Sequence, residues 1–180
     1  MAHSLLEDLS GADADTLHEV IREAESYLSA QLMASLAADQ RAIAFSSVVA
    51  AGTVVVGGGG VALLEAEAAY SELAWVASAI ALGLLAAMFF AILSAMPSHF
   101  WFIGNSPELW RKDLVAGTPL KHSLAQQAAH YAEMISANDK IMVRNAKQMA
   151  ASVWIAWGSL LFGSLFSALV LTDLIPAICA

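Results

Sequence analysis

Three apolar stretches free of Asp, Glu, Lys, Arg and His constrain this 180-residue chain more than any other feature. They cover residues 43–64, 75–96 and 152–171. Each is about 20 residues long, the length a helix needs to cross the hydrocarbon core of a bilayer. The hydrophobic fraction of 59% and the mean hydropathy of +0.66 lie above those of an ordinary soluble domain. The expected fold is all-α: an integral membrane protein with three transmembrane helices, two of them extended into a cytoplasmic helical stalk.

The eight Lys and Arg residues orient that arrangement. Between the first two stretches lie Glu65, Glu67 and Glu72 and no basic residue. Between the second and third lie Arg111, Lys112, Lys121, Lys140, Arg144 and Lys147. Arg22 and Arg41 precede the first stretch, and none follows the third. Basic flanks stay on the cytoplasmic side, so the N-terminus is expected inside and the C-terminus outside. The net charge of -8 argues against nucleic acid as a partner, which calls for clustered basic surface. The acidic opening segment lacks the basic and apolar regions of a cleaved signal. Cys179 is the one cysteine, so no internal disulfide is expected.

Residues 1–14 read as a flexible acidic N-terminus and 15–41 as an amphipathic cytoplasmic helix. In the latter, Leu17, Val20, Ile21, Ala24, Tyr27, Leu28, Leu32 and Leu36 recur at spacings of three and four. Residues 42–96 form a transmembrane hairpin, with a glycine run, Gly57 to Gly60, near the end of its first arm. Residues 97–118 read as an interfacial segment. Ser106 caps a short helix with Pro107 at its first position, and aromatics suit the bilayer boundary. Residues 119–150 form a heptad helix, 151–172 the third span and 173–180 an outer tail.

Two devices point to close helix packing. Ala79, Gly83, Ala87 and Ala91 form a small-residue ridge on the second span, and Ser159, Gly163 and Ser167 repeat it on the third. Small residues let helices approach closely in lipid, within a protomer or between protomers. The heptad helix carries a seam of Leu124, Ala128, Tyr131, Ile135, Asn138, Met142, Asn145 and Met149. Asn138 and Asn145 in seam positions point to a fixed register or oligomer state. The two stalk helices either pack on one another or oligomerise through this seam.

Little catalytic chemistry is present. The apolar stretches lack the ionisable residues on which pumps and proton relays depend. His130 and Glu133 share a helix face in the wrong order for a di-metal bundle, so no metal and no cofactor are expected. Ser123 has His122 beside it without a third partner, which leaves a hydrolytic triad unsupported. The expectation is a protein that is not an enzyme. The compact motif FIGNSPELW reads as an interfacial anchor or as a ligand or partner surface. In the second case Asn105 and Trp110 belong to it, Arg111 and Lys112 contact an anion, and Arg144 and Lys147 add basic charge near the membrane.

Two segments carry a family likeness. ADQRAIAF, residues 38–45, resembles the acidic-x-basic-Ala start of the first span in Pycsar transmembrane effectors and the related SLATT proteins. HYAEMISANDKIMVRNAKQMAA, residues 130–151, resembles their late cytoplasmic helix before the final span. The resemblance implies a protein of the bacterial inner membrane, where the basic residues place the N-terminus in the cytoplasm and the C-terminus in the periplasm. It implies a homo-oligomer triggered by a nucleotide to disrupt the bilayer. One functional expectation is therefore a non-enzymatic oligomeric membrane effector or channel-like protein. The alternative is a structural or accessory subunit of a larger membrane complex, docked to a protein partner through its cytoplasmic helices.

Overall fold

The computed structural model describes residues 2–66 and 71–179, with side chains for 5–66 and 71–172. Glu67 of the first loop and the side chain of Cys179 lie outside the described residues. Among the described residues the fold is all-helical. The elements are α1 (Ala2–Gly11), α2 (Ala14–Ala66), α3 (Ser71–Ser94), a 3-10 turn (Pro107–Trp110), α4 (Arg111–Ala116) and α5 (Leu120–Cys179). Three helices, α2, α3 and α5, are long and apolar enough to cross a membrane.

The chain divides into two compact units. The first comprises Met1–Ala37 and Pro97–Val143, the second Ala38–Met96 and Arg144–Ala180. Helices α2 and α5 run unbroken from one unit into the other.

The first unit has a conventional apolar core. Leu17 of α2 and Leu124 and Ala125 of α5 are buried together, with Leu6, Leu9, Ala12 and Ile21 packed around them. Next along the helices come Leu28, Tyr131 and Met134. The opening segment is thus not the flexible tail expected for residues 1–14. It folds as α1, because Leu6 and Leu9 stand one turn apart and find an apolar seat on α2 and α5. Asp13 then caps α2. Its carboxylate accepts from the Thr16 amide at 2.8 Å and from the Thr16 hydroxyl at 2.8 Å. Those two bonds hold the Asp13 carboxyl below its ordinary range.

In the second unit, Val49, Leu84, Ala87 and Ala156 form the buried cluster, flanked by Phe45, Ile80, Met88 and Ile155. The small residues set the spacing between α3 and α5. A Cβ built at Gly83 would overlap Ser159, and one at Gly163 would overlap Ile80. Ser152 donates to the Ala87 carbonyl at 2.6 Å across the same contact. Ala87 and Ala91 are fully buried, Ala79 is exposed and Ser167 is half-buried. The ridges therefore meet within one chain. Helix α5 also continues through 173–179, where the sequence suggested a tail.

Candidate functional site

Asn138 organises the first unit. It is fully buried. Its Oδ1 accepts from the Trp101 amide at 2.9 Å, and its Nδ2 donates to the Trp101 carbonyl at 2.9 Å. The same Nδ2 donates to Gln31 Oε1 at 3.2 Å. Gln31, itself buried, donates through Nε2 to Asp139 at 2.7 Å and to the Ile135 carbonyl at 3.3 Å. One carboxamide thus pairs both backbone groups of a loop residue and ties that loop to α2 and α5. The seam position faces this internal network, along with the buried seam residues Leu124, Ala128 and Tyr131.

The anchored segment then follows α5 back towards its N-terminus. Trp101 lies at Asn138, and Asn105 donates to Gln127, about three turns earlier in the helix. Residues 107–115 were expected as an interfacial helix. They fold as the 3-10 turn and α4, beside the N-terminal part of α5, where the Trp101 and Asn105 bonds lead the chain. The apolar stretch at 152–171 starts about seven turns beyond Gln127 on the same helix. Ser106 accepts weakly from the Glu108 amide at 3.4 Å. Gly117, with φ of 64°, closes α4 by a left-handed cap that only glycine takes at no steric cost.

Between α5 and the segment from Asn105 through the 3-10 turn to α4 lies an open cavity of about 270 Å³. Ser123, Gln126, Gln127 and His130 of α5 form one wall. Their spacing of three, four and seven residues places them on one helix face. Asn105, Leu109, Trp110 and Asp113 form the opposite wall. His130 also meets the Trp101 ring edge-on at 6.1 Å, and its Nδ1 lies 4.0 Å from Glu133.

Of the residues singled out in the sequence, Asn105 and Trp110 thus share a cavity. Arg111 is highly exposed and pairs with Glu108 at 3.3 Å, outside the lining. Lys112 is exposed and also outside it, while Arg144 and Lys147 are exposed residues of the second unit. The charged or titratable lining groups are Asp113 and His130. That lining suits a small polar molecule that is neutral or cationic, since a carboxylate opposes a phosphate. Sequence reasoning missed Ser123, Gln126, Gln127, His130 and Asp113 as a set. The signal for the first four was their common helical face.

Farther along, the Tyr131 hydroxyl donates to Glu25 at 2.9 Å. Burial, reinforced by that carboxylate, pushes the phenol above its ordinary pKa. Asn145 Oδ1 and Gln148 Oε1, in the second unit, are buried acceptors without a hydrogen-bond partner. Among the described residues no group of three or more His, Cys, Asp or Glu is placed to hold a metal.

No family model, curated protein or solved structure matches the chain.

Proposed function

We propose that this chain is a non-enzymatic, three-span protein of a bacterial inner membrane, with a cytoplasmic N-terminus and a periplasmic C-terminus. It acts as an oligomeric effector: a small ligand taken up by the first unit changes the packing of the spans. The observation that carries this reading is the polar cavity on α5, a helix that continues unbroken into an apolar stretch. Two further features support it. The unpartnered Asn145 and Gln148 oxygens leave the present arrangement with a cost of about 1–3 kcal/mol each, which a second packing would relieve. The likeness of residues 38–45 and 130–151 to Pycsar transmembrane effectors and SLATT proteins points to the same membrane action, while the Asp113 carboxylate in the cavity argues against the nucleotide trigger that likeness implies. The distribution of basic residues supports the orientation.

Induced expression with a membrane-potential dye tests the proposal. Depolarisation by the wild type, lost in the cavity-filling variant Gln126→Trp, is expected. An unchanged potential, with a monomer in mild detergent, overturns it.

A second reading has its own observation. Leu109, Leu114 and Val115 are 64%, 75% and 83% exposed around α4. An accessory subunit would use that apolar surface to dock a protein partner. Gentle purification separates the readings: a stoichiometric unrelated partner favours docking, and a pure homo-oligomer favours the effector.

A further inference from the structure

The second unit holds a larger cavity, a groove of about 740 Å³ between α3 and α5. Trp75, Ala79 and Ile80 contribute from α3, and Ser159, Phe162 and Phe166 from α5. The groove opens where the α3 ridge changes character. Ala87 and Ala91 are fully buried against neighbours, whereas Ala79, two turns earlier, is exposed. Trp75 and Phe162 stand 72% and 71% exposed at its rim. From Glu72 to Ile80 the groove runs along about 12 Å of α3 at 1.5 Å per residue, close to the hydrocarbon depth of one leaflet. Its one charged lining residue is Glu72, in the first turn of α3 beside Trp75. No Lys or Arg occurs between Arg41 and Arg111 in the sequence.

We propose that this groove binds one acyl chain of a phospholipid with a primary-ammonium headgroup, phosphatidylethanolamine, whose ammonium is held by Glu72. The inference rests on the membrane-spanning reading above. Apolar walls and aromatic rims suit the chain. The charge at the mouth selects the headgroup. A carboxylate in a groove whose lining holds no Lys or Arg attracts an ammonium and repels the net charge of phosphatidylglycerol. Unlike choline, a primary ammonium also carries N–H donors for the carboxylate. Trp75 suits the interface depth at which a headgroup sits.

The full-length protein, reconstituted in phosphatidylcholine vesicles, provides the test. Brominated-chain phosphatidylethanolamine or phosphatidylglycerol is added at equal mole fraction, and tryptophan quenching is read. The Trp75 contribution comes from the difference between wild type and Trp75→Phe. Quenching of Trp75 is expected to favour phosphatidylethanolamine about threefold, the scale of a partly exposed ion pair. Glu72→Gln should abolish the preference but keep the quenching. A Cβ at Gly158 meets no atom within 4 Å, so Gly158→Leu fills the groove without strain and should weaken quenching by both lipids. Equal quenching in the wild type, or a preference for phosphatidylglycerol, overturns the proposal. So does a Gly158→Leu variant that loses self-association while its quenching stays intact, because a second copy then fills the groove. If neither lipid quenches any tryptophan, including the exposed Trp154 and Trp157, the membrane reading falls as well.

Discussion

The two units are built on opposite packing rules. In the first, the core is filled by large side chains, Leu17, Leu28 and Tyr131, although Leu114 and Val115 of α4 stay exposed, and side-chain hydrogen bonds from Gln31, Asn138 and Tyr131 link separate elements. In the second, the buried positions are mostly small residues, though Leu84 and Val49 are also buried, and most large side chains face outwards. Ala87, Ala91 and Ser152 are fully buried, while Trp154, Phe162 and Leu161 are 76%, 71% and 65% exposed. Its hydroxyls mostly bond back within their own helix, as Ser46 does to Ala42, Thr53 to Val49 and Ser159 to Ile155. An inverted core is what an apolar solvent selects. Lipid removes the drive to hide Leu and Phe, leaves close contact to hold helices together, and requires polar groups to be satisfied locally. The first unit follows the rules of water.

Substitutions that violate one rule at a time sharpen this contrast. The largest effect is expected for Asn138→Leu, which leaves the Trp101 N–H and C=O without their partner and Gln31 Oε1 without a donor. The cost is about 3 kcal/mol, the lower end of 1–3 kcal/mol for each of these three groups, because Trp101 is partly exposed. Hydrogen exchange should rise over residues 97–106, with the α3–α5 contact unchanged. Equal protection in wild type and variant would remove the Asn138 clamp from the account.

Next comes Gly163→Leu, whose side chain collides with Ile80. About 1–3 kcal/mol should be lost from the thermal stability of the detergent-solubilised protein. The exposed Gly158→Leu should lose almost nothing. A comparable loss at both positions would mean that close approach does not organise the second unit. Asn145→Leu removes one unpartnered buried acceptor and should raise stability by about 1 kcal/mol, read as an upward shift in melting temperature. A fall of that size would show that the acceptor is satisfied.

The smallest effect concerns pH. Burial raises the folded pKa of Tyr131 above the unfolded phenol value, so its neutral form is favoured in the fold. The stability this contributes is present below pH of about 10 and disappears as pH rises through the raised value. Alkaline unfolding of the wild type should therefore be steeper than that of Tyr131→Phe. Coincident profiles would contradict the assignment.

The sequence makes the second unit far more legible than the first. Charge-free runs of span length mark its helices, and the four-residue spacing of Gly83, Ala87 and Ala91 marks the contact face. Both signals are local and periodic. The first unit depends on pairings between distant segments. Asn138 stands out as a polar residue in an apolar seam, but its partner Trp101 lies in a loop with no periodicity. Half of the cavity follows the same pattern: the α5 wall is a helix face, and the opposite wall depends on the path of residues 97–116. Arg111 and Lys112 read as anion ligands by composition. Their orientation on a helix of six residues carried no such signal, and Arg111 turns to Glu108. Helix α1 escaped notice because Leu6 and Leu9 are surrounded by acidic residues and become apolar seats only once α2 and α5 are in place.

The proposed function has one central consequence: the second unit would sit in lipid and the first in water on the cytoplasmic side. Cysteine labelling with a membrane-impermeant maleimide tests it most directly, on a Cys179→Ser background in bacterial spheroplasts. Glu65→Cys should react in intact spheroplasts and Lys112→Cys only after permeabilisation. Leu161→Cys should react in neither state, although the side chain it replaces is 65% exposed. Labelling of Leu161→Cys in the permeabilised membrane, or of Lys112→Cys before permeabilisation, would contradict the account.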